Sequence, residues 1–135
     1  MRVTCVAVIV EDPASRVLLL LRDADPALEF PNHWTLPGGL ANAHEAAASA
    51  AQRELSEETG LGLPISFWKN YDRPHQSNEF VIDQQVFTAA FTHRTGEVVL
   101  AEGQEARFFS RRELAHLSIA YGFDQLLEEY FDSKD

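Results

Sequence analysis

The sequence predicts an α/β sandwich built on a mixed β-sheet. Short apolar and β-branched runs, bounded by turn residues, lie on both sides of one stretch rich in alanine and glutamate. That stretch has the composition of a helix. The chain then closes on two further helical segments, so the order is strands, a central helix, more strands and terminal helices.

Each element has its own signal. VTCVAVIV (3–10) reads as a strand and DPAS (12–15) as a turn. RVLLLLR (16–22) is too short and too tightly bounded for a helix, so it reads as a second strand. DADPALEFPNH (23–33) is a loop, and WTLPGG (34–39) a short strand that breaks at Pro37. Good helix formers then run over 44–59, with Gly60 as the stop. Segments 64–71 and 79–92 read as strands around the polar loop DRPHQSN (72–78). THRTGE (92–97) reads as a hairpin turn into VVL (98–100). EARFFS (105–110) is a short strand, RRELAHL (111–117) a short helix and AYGFDQLLEEYF (120–131) a longer one. Ile119, Phe123, Leu126, Leu127 and Tyr130 recur near helical spacing, as a core-packing face does; the same helix is a candidate dimer contact.

Composition narrows the function. The 135 residues suit one domain over 1–135, with enough chain for a substantial core. At 45% hydrophobic and 24% charged residues the protein matches an ordinary globular chain. No apolar run approaches the roughly 20 residues that span a bilayer, so no membrane partner is expected. The opening run is broken by Glu11, Asp12 and Pro13, unlike a signal peptide. Cys5 is the single cysteine, which fits a small buried strand residue and a reducing cytoplasm. A net charge of −10 argues against nucleic acid as a partner. A small anionic ligand remains open if divalent cations bridge it to carboxylates.

The central helix raises that possibility. Glu54, Glu57 and Glu58 stand at i,i+3 and i,i+4 spacing and share one face, which Ala47, Ala50 and Ala51 continue toward the N-terminus. Arg53 stands four residues before Glu57. Charge on a helix is ordinarily a solvated face. This face is one-signed, however, and runs into alanines that permit close backbone approach. Three clustered carboxylates become favourable around a hard divalent cation, and magnesium commonly bridges carboxylates to a substrate phosphate.

The same residues carry a family pattern. Gly39, five residues, Glu45, seven residues, Arg53-Glu54-Leu55, one residue, Glu57-Glu58, one residue, Gly60-Leu61 is similar to the Nudix box at every fixed position. Seven specified and two apolar positions match over 23 residues. Chance agreement is on the order of 10⁻⁷ or rarer at average residue usage, so the signal is specific. WTLPG resembles the usual lead-in, and His44 stands where many relatives have glycine.

The resemblance implies a Nudix-type α/β/α sandwich and a hydrolase dependent on Mg²⁺, sometimes Mn²⁺. Such an enzyme cleaves the diphosphate linkage of a nucleoside diphosphate derivative: a nucleotide sugar, a dinucleoside polyphosphate or a (d)NTP. The expected mechanism is attack of metal-activated water at phosphorus. By motif position Glu54, Glu57 and Glu58 are the expected metal ligands, joined by the backbone carbonyl of Gly38. Arg53 orients the glutamates. Glu45 is expected to cap or support rather than to ligate, and Gly39 to make a tight turn. Glu102, with Glu105 as second choice, is the expected extra ligand or general base in AEGQEARFF; Glu54 is also a candidate base. A non-catalytic nucleotide-sensing domain is the alternative reading.

Substrate contacts must come from outside the box. Arg22, at a strand end, is a candidate for phosphate or base, and Trp34 for stacking on a base. Phe30, Tyr71, Phe80 and Phe87 are further stacking candidates, although aromatics more often fill cores. Arg73, His75, Gln76 and Asn78 stand on a segment able to line a pocket. The histidines, His33, His44, His75, His93 and His116, form no metal-ligand pattern. A monomer or a homodimer is expected.

Overall fold

The computed structural model describes residues 2–75, 77–92 and 97–134. Its strands are β1 (Arg2–Glu11), β2 (Val17–Leu21), β3 (Trp34–Thr35), β4 (Gly38–Leu40), β5 (Ser66–Pro74), β6 (Val81–Ala90) and β7 (Glu105–Phe109). The helices are α1 (Ala47–Thr59), α2 (Arg111–Leu114) and α3 (Phe123–Asp132). The expected mixed sheet is present. β1 runs parallel to β6 along its whole length, from Arg2 opposite Val81 to Glu11 opposite Ala90, and the other strand pairings are antiparallel.

The sheet forks between its first two strands. β1 and β2 meet where their turn joins them, Glu11 opposite Val17, and then part. β4 lies along β1 in the gap, and the Val8 N–H donates to the Pro37 carbonyl at 2.9 Å. β2 pairs with β7 on one edge and β3 on the other. Successive strand side chains face opposite ways, and here both faces are covered. Val6, Val8, Val10, Leu18 and Leu20 pack with Ala50, Ala51 and Leu55 of α1. Ala7, Ile9, Val17 and Leu19 pack with Phe123, Leu126, Leu127 and Tyr130 of α3. Double burial explains why β1 and β2 read as continuous apolar runs rather than alternating ones.

Several boundaries differ from the sequence expectation, each for a local reason. α1 begins at Ala47, not 44, because the Glu45 carboxylate accepts the Asn42 N–H at 2.9 Å and His44 takes a left-handed φ of 65°. WTLPGG becomes two strands on different partners, divided at Pro37. β5 continues through Asp72, Arg73 and Pro74, which sequence assigned to a loop; it is an outer strand of the sheet, where proline is tolerated. Residues 98–100 are not a strand. The Val99 N–H instead donates to the Thr59 carbonyl at 2.8 Å and the Ala101 N–H to that of Glu58 at 3.1 Å, satisfying the end of α1. The turn expected over 92–97 falls largely on residues outside the described set. α3 starts at Phe123 because Tyr121 and Gly122 both have positive φ, 62° and 73°. Gly60 does end α1, with φ 73° and its N–H on the Ser56 carbonyl. Among the described residues no helix is long and apolar enough to cross a membrane.

Leu55 is fully buried between α1 and the sheet. Leu55→Ala should therefore cost about 3 kcal/mol in urea unfolding, while Ser56→Ala on the exposed side should stay within about 0.5 kcal/mol.

Candidate active site

The site forms where α1 comes close to β4. Ala50 and Ala51 are completely buried at the contact, so small side chains set the spacing. Gly38 allows equally close approach on the sheet side. A Cβ there would lie 2.0 Å from the Val6 carbonyl oxygen. The Gly38 N–H is thereby presented to Glu58, whose Oε2 accepts it at 3.2 Å. Gly39 does not make the expected tight turn. It lies within β4, and its missing side chain leaves room for Glu54, whose carboxyl carbon would be 2.9 Å from a Cβ.

Two carboxylates, Glu54 and Glu102, lie near that of Glu58. Burial pushes its carboxyl up to about 8; the Gly38 N–H opposes the rise, and Glu54 and Glu102 add to it. Glu54, Glu57 and Glu58 also occupy the last two turns of α1. The aligned peptide dipoles make that end of a helix negative, the unfavourable end for an anion. Neither burial, nor neighbours, nor the helix field favours bare negative charge here.

Arg53 offsets part of it from one side. Its Nε and Nη2 donate to Glu45 at 2.9 and 3.0 Å, and Nη1 donates to Glu54 at 2.9 Å and Glu57 at 3.2 Å. Nη2 also reaches the Leu40 carbonyl at 3.2 Å. The Arg53 bond and then the Asn42 N–H lower the Glu45 carboxyl to about 2. Glu45 therefore ties the 40–46 segment to the helix, as expected of a supporting residue. Glu57 behaves differently from its two neighbours. Its side chain is 60% exposed and turned to Arg53.

Glu102 reaches the cluster from a separate segment. Next to it, the Gln104 N–H donates to the Leu21 carbonyl at 2.9 Å, and Gln104 Nε2 donates to the Arg22 carbonyl at 2.8 Å and Asn32 Oδ1 at 2.9 Å. These bonds fix the segment to the end of β2. Glu105, the second choice, is on β7 and pairs with Arg107, away from the cluster.

Glu58 and Glu102 line one part of an open cavity of about 490 Å³, set in the fork of the sheet. Arg22 lines it too, with Nε on the Glu29 carbonyl at 2.8 Å. Trp34 does not. It packs edge-on against Phe109 at 4.8 Å and belongs to the core, because its strand turns it toward α3 rather than into the fork. Phe87 is core, Tyr71 packs against the α3-side core, and Phe30 packs on Tyr121. Of the segment around 73–78, Arg73 and His75 line the cavity, Asn78 does not, and Gln76 lies outside the described residues. Sequence reasoning missed Gln84, Glu29 and Tyr121 as lining residues. Gln84 carried a signal: it is a polar side chain on the apolar register of β6, between Ile82 and Val86.

The expected donors, the glutamates and the Gly38 carbonyl, are all oxygen, which is the chemistry of hard divalent cations. A buried carboxyl pushed up to about 8 by burial and like charge fits a site completed by a cation. Among the described residues no three acidic, histidine or cysteine side chains enclose a single point as they stand.

Arg53→Ala should free the 40–46 segment without unfolding α1. Amide exchange should quicken at residues 41–46 while Ala51 and Leu55 stay protected; unchanged exchange in the segment would mean that other contacts hold it.

Comparison with known proteins agrees with this geometry. The NUDIX domain family model matches residues 1–130. The m7GpppN-mRNA hydrolase NUDT17 of Danio rerio is 47% identical over 58 residues, 43% of this chain and 19% of that protein. The Diphosphoinositol polyphosphate phosphohydrolase 2 of Rattus norvegicus is 35% identical over 57 residues, 39% of this chain and 32% of that protein. The chain thus spans a third or less of the length of either relative. Among solved structures, a MutT protein from Methanosarcina mazei Go1 superposes with TM-score 0.84 at 20% identity, covering 99% of this chain and 96% of that one. The NUDIX domain of Shewanella oneidensis NrtR, complexed with ADP ribose, gives 0.81 at 18% identity, covering 100% and 90%. At these identities the likeness is one of fold. With the box, the forked sheet and the family match all in agreement, the chain is a member of the Nudix family.

Proposed function

We propose that the chain is a divalent-metal-dependent hydrolase that cleaves the diphosphate linkage of a nucleoside diphosphate derivative. One observation carries the reading: Glu58 and Glu102, from separate segments and both close to Glu54, line a cavity whose other walls carry Arg22, Arg73, aromatic rings and apolar side chains, with Asp23 and Glu29 among them. A polyanionic linkage suits the first part of that cavity once charge is balanced, and a nucleoside suits the rest.

Glu54, Glu57, Glu58 and Glu102, with the Gly38 carbonyl, would hold Mg²⁺, or Mn²⁺ in its place. Bound there, the cation supplies neutralisation of phosphate charge and acidification of a water molecule. The chain's own groups do the rest. Arg53 fixes the carboxylate of Glu54, so its lone pairs stay aimed rather than wandering. The Gly38 N–H holds one oxygen of Glu58. Glu102 or Glu54 accepts the proton of the attacking water, which enters opposite the leaving phosphate oxygen. Arg22, on the cavity wall, meets the phosphate or base of the substrate. Trp34 has no part in substrate contact. The chain works on a small molecule, without nucleic acid or membrane.

The test is a hydrolysis screen of nucleotide sugars, dinucleoside polyphosphates and (d)NTPs with Mg²⁺, with Mn²⁺ and with chelator. Cleavage of one class should require metal. Glu54→Gln and Glu58→Gln should each lower kcat/KM by at least about 10²-fold, and Glu105→Gln should leave it near the starting value. Full activity in both Glu57→Gln and Glu58→Gln would sink the metal assignment. Ligand binding without cleavage of anything would replace a hydrolase with a sensing domain.

A further inference from the structure

The inner part of the cavity holds a cation whose hydrogen-bonding capacity is mostly unused. Arg73, on β5, donates through Nε to Gln84 Oε1 at 3.0 Å. Gln84 is 1% exposed, and its Nε2 reaches the Cys5 carbonyl at 3.4 Å, so its orientation is fixed from both ends of the amide. The guanidinium carbon of Arg73 stands 5.2 Å from the centre of the Tyr121 ring. With Nε engaged and the guanidinium lying by the Tyr121 ring, the two terminal nitrogens make no hydrogen bond among the described residues. A half-buried fork of N–H donors held this firmly is built to meet paired acceptors.

The walls around it say which acceptors. His75 stacks on Phe80 with ring centres 4.2 Å apart, and both line the cavity with Tyr121, Ile82 and Phe123. A phosphate there would be desolvated among apolar walls with Glu29 close by. A planar ring loses far less on entering, and its carbonyl is met by the fork. We propose that Arg73, oriented by Gln84, reads a nucleobase edge carrying a carbonyl oxygen next to an unprotonated ring nitrogen. Guanine (O6 and N7) and cytosine (O2 and N3) present such an edge. Adenine presents an amino group beside its ring nitrogens, and uracil a ring N–H between its carbonyls. An arginine fork matches the oxygen–nitrogen pair and rejects the other two. Arg73 is then a specificity residue and Gln84 a positioning residue. The inference rests on the chain taking nucleoside diphosphate derivatives.

The test is calorimetric binding of GMP, CMP, AMP and UMP to the full chain in chelator, so that neither metal nor turnover enters. GMP and CMP should bind roughly 10-fold or more tightly than AMP and UMP. Arg73→Lys, which keeps the charge and loses the fork, should erase that preference. Gln84→Leu should weaken it and Gln84→Glu, which keeps an acceptor for Nε, should retain it, with thermal melting used to confirm folding of each variant. Equal binding of all four by the unaltered protein, or a preference that survives Arg73→Lys, overturns the inference. Failure of all four to bind at millimolar concentration overturns it as well. Metal-dependent cleavage that continues without base preference would leave the hydrolase standing and remove this proposal alone. Base preference without any cleavage would do the reverse.

Discussion

The close approach of α1 to β4 is the contact on which the site depends. A helix packed through leucines would stand farther from the sheet. Here Ala50 and Ala51 face it, and Gly38 and Gly39 answer with no side chain at all. The gap that remains is small enough for the backbone N–H of Gly38 to reach the carboxylate of Glu58 across two elements. That spacing holds three acids at the wrong end of a helix. Leu55 and the core below it hold the helix down against their repulsion.

The charge arrangement has two sides that answer to different physics. Toward solvent, Arg53 is shared among Glu45, Glu54 and Glu57, and a single guanidinium organises both a loop and a helix face. Toward the cavity, Glu58 has a backbone N–H and, among the described residues, no cationic side chain bonded to it. The negative part of the cavity is thus left electrically open, and elsewhere its lining has the Arg73 guanidinium and the Tyr121 ring, with Glu29 also present. A ligand that is anionic at one end and planar at the other matches both.

Most of the glutamate cluster was legible because it rests on local spacing. Positions three and four apart on a helix share a face whatever surrounds them, so Glu54 and Glu58 could be placed together from sequence. Gly60 could be named as the stop because a left-handed end favours glycine. What sequence could not supply depends on distant partners. Residues 44–46 are as helix-prone as those after them, and the tie from Glu45 to Arg53, eight residues on, forms only when the segment folds back on the helix. Residues 98–100 have the composition of a strand, yet the N–H groups of Val99 and of Ala101 just after them go to the end of α1. Arg73 and Pro74 carry turn chemistry, but an outer position in the sheet makes them strand. Trp34 and Tyr121 are both aromatic residues near turns. Only the direction each backbone takes puts one in the core and the other in the cavity.

The parallel pairing of β1 with β6 has a consequence for how the chain comes together. Arg2 through Glu11 hydrogen-bond to Val81 through Ala90, and β1 is among the most apolar segments in the molecule. In a chain made from its amino end, that ladder cannot form until β6 has emerged, which at ribosomal speeds is roughly 4–16 s later. The earlier hairpin with β2 covers only the turn. During those seconds β1 is an unpaired apolar strand whose only available local partners are β2 and β4. Nascent-chain order therefore favours a forked hairpin first, then the central β1–β6 seam, with β7 joining β2 last. A fold of this contact order is expected to assemble slowly compared with a helical bundle of equal size.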